Sequence, residues 1–232
     1  MISTAVGVLC ILGIGIFLYR HQLLTRGGMA AGITIGSAIS IRLGSLWLAL
    51  IAGLFYLALA VTRLHSSRKS EIKPKFSRDA IDLLPVGGVV TAASLQPHAD
   101  IGRFVALAAM AFALADILAS ELGPLTSSSA FSIYPFRRVS HGVPGAVSLG
   151  GLGFSLVGSA LPSLVAWVWR GLPLALIVFL SGLLGSVIDT GLSITWRPQL
   201  ARRNDFINGV SVVATAAVAL SLYWTLHIGG LR

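Results

Sequence analysis

Apolar residues in this chain come in long blocks, broken by short basic or glycine-proline stretches. Eight blocks stand out, at residues 2–19, 24–41, 43–62, 80–95, 104–120, 145–169, 171–193 and 206–226. A helix needs about 20 consecutive apolar residues to cross the hydrocarbon core of a bilayer. The pattern therefore predicts an all-α fold: a polytopic transmembrane helical bundle of about eight spans, forming a single integral membrane domain over residues 1–232. The second and fourth blocks are short and glycine-rich, so either a full span or a segment partly re-entrant or tucked against protein fits them. A membrane barrel would show short alternating strands instead, and the sequence shows no such runs.

The charges set an orientation for these spans. With the N- and C-termini outside, the inside loops collect Arg20, Arg26, Arg63, Arg68, Lys69, Lys73, Lys75, Arg78, Arg137, Arg138, Arg197, Arg202 and Arg203. The outside keeps only Arg42, Arg103, Arg170 and Arg232. Basic residues accumulate in this way on the cytoplasmic side of membrane proteins, and removing one span would scramble the alternation. The chain is 55% apolar and 11% charged, with a mean hydropathy of +0.87, which excludes an ordinary soluble domain. The net charge of +9 would suggest nucleic acid in a soluble protein. Here it reads as topology-setting residues facing membrane lipids, with no nucleic-acid partner. The longest basic loop, residues 63–78, is either a headgroup anchor or an arm over a cytoplasmic site. The apolar start lacks a basic leader region and a small-residue cleavage site, so a retained first span is expected. The expected location is a multi-pass position in a prokaryotic cell membrane. The lone Cys10 leaves no disulfide framework and no cysteine metal site.

Ionisable residues inside membrane spans are costly and usually functional. This chain has Asp82, Asp116 and Asp189 within blocks, and Glu121 and Asp205 at block ends. The predicted topology gathers Asp116, Glu121, Asp189 and Asp205 in one cytoplasmic-side layer, with Asp82 at the same face. Asp116 and Glu121 are five residues apart, about 140° around a helix. They converge only if the helix ends near Ser120, and Gly123-Pro124 predicts such an end. Carboxylates suit Mg²⁺, which binds through one or two of them plus substrate phosphates, and Arg137, Arg138, Arg202 and Arg203 suit phosphate oxygens. Residues 142–148, with Gly142, Gly145 and Ser148, read as a glycine-rich loop entering a helix N-terminus, a place where anions bind. His141 beside it is a candidate phosphate contact or base. Gly182, Gly185, Ser186 and Asp189 fall on one helix face, where small residues let backbones approach closely. Asn204 or Asp205 is positioned to cap the last span. Asn208, in that span's first turn, needs a partner that a metal or nucleotide would supply. Acids, arginines and a glycine-rich helix start together describe a phosphoryl-transfer site. No Walker A motif is present.

At these residues the chain resembles the integral membrane family that includes plant phytyl-phosphate kinase and transmembrane protein 19. The likeness rests on five motifs in order, and it covers most of the chain. They are Asp116 with Ala119-Ser120-Glu121-Leu122-Gly123; Arg138-Val139; residues 142–148; residues 182–189; and residues 204–208. The opening loop Leu24-Thr25-Arg26-Gly27-Gly28 is also similar. The chain departs from the family pattern at Ala115, at Pro144 and across residues 190–197. These departures bear on the substrate more than on the fold.

The resemblance implies a prenyl-phosphate kinase that moves a phosphoryl group from a nucleoside triphosphate, CTP or another, to a prenyl monophosphate such as phytyl or geranylgeranyl phosphate. It further implies that Asp116, Glu121 and Asp189 hold Mg²⁺, with Arg137 and Arg138 on phosphates. A prenol kinase or a CTP-dependent lipid cytidylyltransferase would use the same parts. A transporter of a small anionic or lipid substrate is the alternative of a different class. Acids near one membrane face and the lack of an internal repeat argue against it. A homo-oligomer is compatible with the pattern.

Overall fold

The computed structural model describes residues 2–66, 79–126, 129–140, 143–196 and 204–228. Among them run eight helices: α1 (Ile2–Arg20), α2 (Arg26–Leu43), α3 (Ser45–Ser66), α4 (Ala80–Ser94), α5 (Ala99–Thr126), α6 (Leu149–Arg170), α7 (Leu172–Trp196) and α8 (Asn204–Ile228). Each expected span has become one helix, so the fold is all-α. Five helices are long and apolar enough to cross a membrane: Ser45–Thr62 of α3, then α5, α6, α7 and α8. Ala5–Arg20 and Ala80–Ser94 are shorter apolar helices. The chain divides into two compact units, Met1–Ala106 and Leu107–Arg232.

In the first unit α2 packs against α1, α3 and α4. Glycines on facing positions make this possible, because a missing Cβ admits the neighbour's side chain. A Cβ on Gly36 would run into Ile11, and one on Gly15 would lie 2.9 Å from Ile33. The pairs Ile11·Gly36 and Gly15·Ile33 make α1 and α2 antiparallel. Ile35 occupies the space beside Gly87, and Thr25 bonds to the start of α4, so α2 and α4 run parallel.

That parallel pair is tied at both ends. Thr25 caps α2, its Oγ1 accepting from the Gly28 N–H at 3.0 Å and donating to Asp79 Oδ1 at 2.6 Å. Asp79 in turn caps α4 in a capping box with Asp82, which accepts from the Asp79 N–H at 2.7 Å. Gly27 leaves room for Asp79, whose Oδ1 would sit 2.7 Å from an added Cβ. The opening Leu24–Gly28 motif is thus a helix start built to receive the start of α4. At the far end the Arg42 guanidinium donates to the Ser94 and Gln96 carbonyls at 3.3 and 3.2 Å. With 15 residues, α4 is about 22 Å long, short of a ~30 Å hydrocarbon core.

The second unit is turned inside out relative to a soluble bundle. On α7 the exposed residues are Leu172, Leu176, Leu180, Leu184 and Val187, one stripe at helical spacing. Ser181, Ser186, Asp189 and Ser193 are buried behind it. On α6 Gly151, Ser155, Gly158, Ser159 and Ser163 are buried, and Leu149, Leu152, Leu156 and Leu164 are exposed. Leucine faces lipid, and small and hydroxylated residues face protein, as close helix packing in a membrane requires. An added Cβ on Gly158 would collide with the Leu114 carbonyl, and one on Gly123 would lie 2.8 Å from the Gly151 Cα. Hence α5 and α6 lie backbone to backbone, antiparallel. Ser159 Oγ donates to the Phe179 carbonyl at 2.7 Å, tying α6 to α7. Residues 107–115 of α5 are buried at every position.

Two local expectations are corrected. Helix α5 does not stop near Ser120 but runs to Thr126 with Pro124 inside it. Pro124 has no N–H for the Ser120 carbonyl, and the turn that carries it is packed on α6, where a Cβ on Gly123 would lie 2.8 Å from the Gly151 Cα. The last turn is finished by Thr126 Oγ1 donating to the Gly123 carbonyl at 3.2 Å. The sixth span starts at Leu149 rather than at residue 145. The chain before it forms a small sheet of β1 (Ala130–Ser132), β2 (Arg137–Val139) and β3 (Ala146–Val147), ordered β2-β1-β3 and antiparallel. Between β2 and β3 the Ala146 N–H bonds the Val143 carbonyl at 3.0 Å around Pro144 and Gly145, whose φ is +76°. Proline second and a positive-φ glycine third is the type II turn. Pro144 is thus the residue that this turn uses at its second position.

Three substitutions test this packing in detergent-solubilised protein by thermal unfolding. Gly158→Ala should cost about 1–3 kcal/mol through overpacking against backbone. Gly153→Ala, with nothing within 4 Å of its added Cβ, should be neutral or stabilising by up to about 1 kcal/mol. Equal stability of the two variants would contradict the close approach of α5 and α6. Thr25→Val removes a cap and the bond to Asp79 together and should cost about 1–2 kcal/mol.

Candidate functional site

Asp189 is the most deeply placed acid of the second unit, with 3% of its surface exposed. Its neighbour across α8 is Ser211, fully buried, whose hydroxyl donates to Asp189 Oδ1 at 3.1 Å. One turn away along the same seam, Gly185 on α7 faces Thr215 on α8 so closely that a Cβ would collide with the threonine hydroxyl. Thr215 Oγ1 donates to the Ser211 carbonyl at 2.7 Å. These pairs make α7 and α8 antiparallel and align Asn208, Ser211 and Thr215 on one stripe of α8.

Asn208 sits one turn before Ser211 on that stripe. Its amide oxygen is buried and has no hydrogen-bond partner. An unsatisfied carbonyl oxygen in such a place costs about 1–3 kcal/mol.

Helix α5 brings a second acid to this layer. An added Cβ on Gly185 would lie 2.9 Å from Phe112, and one on Gly182 would lie 2.7 Å from the Ala111 Cβ. Because α5 and α7 are both antiparallel to α6, they are parallel to each other. Asp116 lies four residues after Phe112, and Asp189 four residues after Gly185. Asp116 is five residues past Ala111 and Asp189 seven past Gly182, so the two contacts together put the acids within about a turn of each other along the same seam. Asp116 is half-buried there. The buried hydroxyls of Ser155 and Ser186 lie at about this level on α6 and α7.

The other expected residues fall elsewhere. Glu121 is inside the continuous part of α5, so it stays about 140° around the helix from Asp116 and does not join it on one face. Among the described residues no three His, Cys, Asp or Glu side chains cluster as a metal-holding group. The expected trio of Asp116, Glu121 and Asp189 is thus not assembled; the pair Asp116 and Asp189 shares a layer. Both lie deeper than expected. Asp189 is seven residues from the end of α7, and Asp116 ten from the end of α5, about 10 and 15 Å along the axes.

Asp205 is in the first turn of α8, and Asn204 is its first residue. Asp82, weighed as a site acid, is occupied in the capping box of α4. Ser148 is the N-cap of α6, its Oγ accepting from the Gly151 N–H at 3.0 Å. Gly145 packs against Ile194 of α7. Arg137 and Arg138 are exposed on β2, the edge strand. Two strand spacings, about 9.5 Å, separate them from β3 and the α6 start. Gly142, His141, Arg197, Arg202 and Arg203 lie outside the described residues, as does the Asn204 side chain.

Sequence reasoning missed Ser211 and Asp79, and named Thr25 only as part of the opening motif. The signal for Ser211 was present: Asn208, Ser211 and Thr215 recur at i, i+3 and i+7 on an otherwise apolar helix. Asp79 falls one residue before the fourth block and so escaped a search for acids within spans.

Comparison with known proteins agrees with this architecture. No solved structure matches the chain. An uncharacterized membrane protein of Methanocaldococcus jannaschii is 22% identical, over 97% of this chain and 97% of its own length. The family described as integral membrane protein DUF92 matches residues 9–224. With nearly its whole length covered, and with helices long and apolar enough for several spans, the chain belongs to the DUF92 family of integral membrane proteins.

Proposed function

We propose that this protein is a Mg²⁺-dependent prenyl-phosphate kinase, transferring the terminal phosphoryl group of a nucleoside triphosphate to a prenyl monophosphate such as phytyl or geranylgeranyl phosphate. The observation that carries the reading is the buried, donorless amide oxygen of Asn208, one turn from the buried Asp189–Ser211 pair. Ser40, Thr91 and Ser181 also have buried side-chain oxygens without a partner, but that of Asn208 lies one turn from a buried carboxylate–hydroxyl pair, where a cation or a ligand hydroxyl would bond it.

The donor set fits Mg²⁺. Asp116, Asp189, Asn208 and Ser211 offer hard oxygens, and two carboxylates suffice where substrate phosphates complete the shell. Bound there, the ion would neutralise charge on the phosphoryl oxygens. The chain's own residues would do the rest by position. Asp189 is held in place by Ser211, and Asp116 is held by the α5–α7 seam. An acceptor phosphate is already an anionic nucleophile at neutral pH, so no strong base is needed. Its oxygen forms the new bond to phosphorus as the bond to the bridging oxygen breaks, releasing nucleoside diphosphate. Positioning and charge neutralisation are the main catalytic contributions. The leucine stripes of α6 and α7 leave a prenyl chain free to remain in lipid while its phosphate enters the polar interior. The motif resemblance to the phytyl-phosphate kinase family supports the choice of acceptor.

Purified protein in detergent, given Mg²⁺, labelled CTP or ATP, and geranylgeranyl or phytyl monophosphate, should yield the prenyl diphosphate. No transfer from either nucleotide by folded protein would overturn the reading. A monophosphate formed from free prenol, or a CDP-lipid with pyrophosphate, would redirect it to a prenol kinase or a cytidylyltransferase. Asp189→Asn should lower turnover at least about 100-fold with the protein still folded. Asn208→Leu should raise the Mg²⁺ concentration needed for half-maximal rate by about tenfold or more. Full activity in both variants would remove the site from the layer described.

A further inference from the structure

The hairpin β1–β2 has a surface that the catalytic reading does not use. Its turn and outer strand carry Ile133, Tyr134, Phe136, Arg137 and Arg138, all exposed. Tyr134 and Phe136 are among the most exposed large residues, at 76% and 81%. Aromatic and aliphatic groups this open to solvent are unfavourable in water. The tip is also organised: Phe136 stacks on Phe131 at 5.6 Å, and the Arg138 guanidinium lies 5.8 Å from the other partner of that stack, the Phe131 ring. Arg138 pairs with Phe131 across the strands, and Arg137 pairs with Ser132. Neighbouring strand residues point to opposite faces, so the two arginines flank the hairpin on both sides.

Chain connectivity sets the height of this hairpin. It begins four residues after the end of α5 and is followed within ten residues by the start of α6, both apolar enough to span a membrane. Leu125 and Leu149, at those two helix ends, are exposed as lipid-facing residues are. The tip therefore leaves the bundle at the membrane–water boundary, on the side where basic residues accumulate. Aromatic rings with a polar rim of arginine match the chemistry of that boundary, and anionic headgroups attract basic residues by about 1 kcal/mol each.

We propose that this hairpin is a membrane-interface anchor, with Ile133, Tyr134 and Phe136 inserted at the headgroup–acyl boundary and Arg137 and Arg138 holding the phosphates of anionic lipids. The assignment is independent of the kinase reading, because it uses neither Asp116, Asp189 nor Asn208. It also gives the two arginines a role consistent with their edge-strand position.

The test places an environment-sensitive fluorophore on the hairpin of the full chain in lipid nanodiscs. In a Cys10→Ser background, Ile133→Cys carries the only thiol, labelled with a nitrobenzoxadiazole dye. In discs containing phosphatidylglycerol the emission should be blue-shifted, quenched strongly by a spin label near the top of the acyl chain and weakly by aqueous iodide. Adding Arg137→Gln and Arg138→Gln should lower the ratio of inserted to free hairpin about thirtyfold in anionic discs and change it little in purely zwitterionic ones. Strong iodide quenching in anionic discs would overturn the proposal, since the tip would then lie in water. Shielding from both quenchers would overturn it as well, since the tip would then be covered by protein. Monodisperse elution of each variant shows that the bundle itself is intact.

Discussion

Close backbone contact between α5 and α6 is the constraint on which the second unit depends. In lipid no hydrophobic force pulls helices together, so packing and internal polar contacts must do it. Gly158 lies against the Leu114 carbonyl and Gly123 against Gly151; a methyl group at either place would force the pair apart. The same device recurs where Gly182 meets Ala111 and Gly185 meets Phe112 and Thr215. Each contact also sets a register. Once Phe112 lies beside Gly185, Asp116 and Asp189 share a layer, and once Gly185 lies beside Thr215, Asp189 meets Ser211. The glycines thus decide which polar groups are neighbours, although they carry no chemistry themselves.

Spans were legible because their signal is coarse: a long apolar block bounded by charge has few alternatives in a membrane. Finer features failed where two local rules competed. Gly123-Pro124 reads as a helix stop, but tertiary packing of Gly123 on Gly151 overrides the local signal, and α5 continues to Thr126. The strands were invisible because none exceeds three residues and their alternation is hidden in a basic, aromatic loop. Gly142–Ser148 looked like one phosphate-facing loop. The described part, residues 143–148, divides into a proline-glycine turn, a two-residue strand and a serine cap, each with its own geometric cause.

The candidate site was legible in half. Asp189, Asp116 and Asn208 stood out because ionisable and amide groups are expensive in lipid and must be explained one at a time. Their grouping was not readable from spacing, since it depends on interhelical register, and that register is set by glycines whose partners the sequence does not name. Asp82 shows the converse. It has the same residue type and a similar place at a helix end, yet the structure spends it on a capping box with Asp79. An acid at a helix start caps its own helix, whereas Asp189, seven residues inside α7, bonds across to Ser211 of α8. Depth within a helix is therefore the better guide.

Depth also separates the two polar features of the second unit. The acid layer lies about 10 Å inside the end of the α7–α8 pair, while the hairpin arginines stand outside that same end of the unit. A phosphate held by Arg137 or Arg138 cannot at the same moment be held at Asp189. On the proposed reading this separation has a use. The proposed acceptor would itself be an anionic lipid, with its phosphate at the headgroup level where the arginines are exposed. An edge that attracts anionic headgroups raises the acceptor's concentration next to the bundle without competing for the donor phosphates in the interior. Attraction at the edge is weak and renewable, because exposed guanidinium groups stay hydrated and screened. Binding proposed for the interior would be less screened, because Asp189 and the Asn208 amide oxygen are buried. Placing the arginines directly in the acid layer would instead pair them with the carboxylates and remove the unsatisfied oxygen on which a ligand could act.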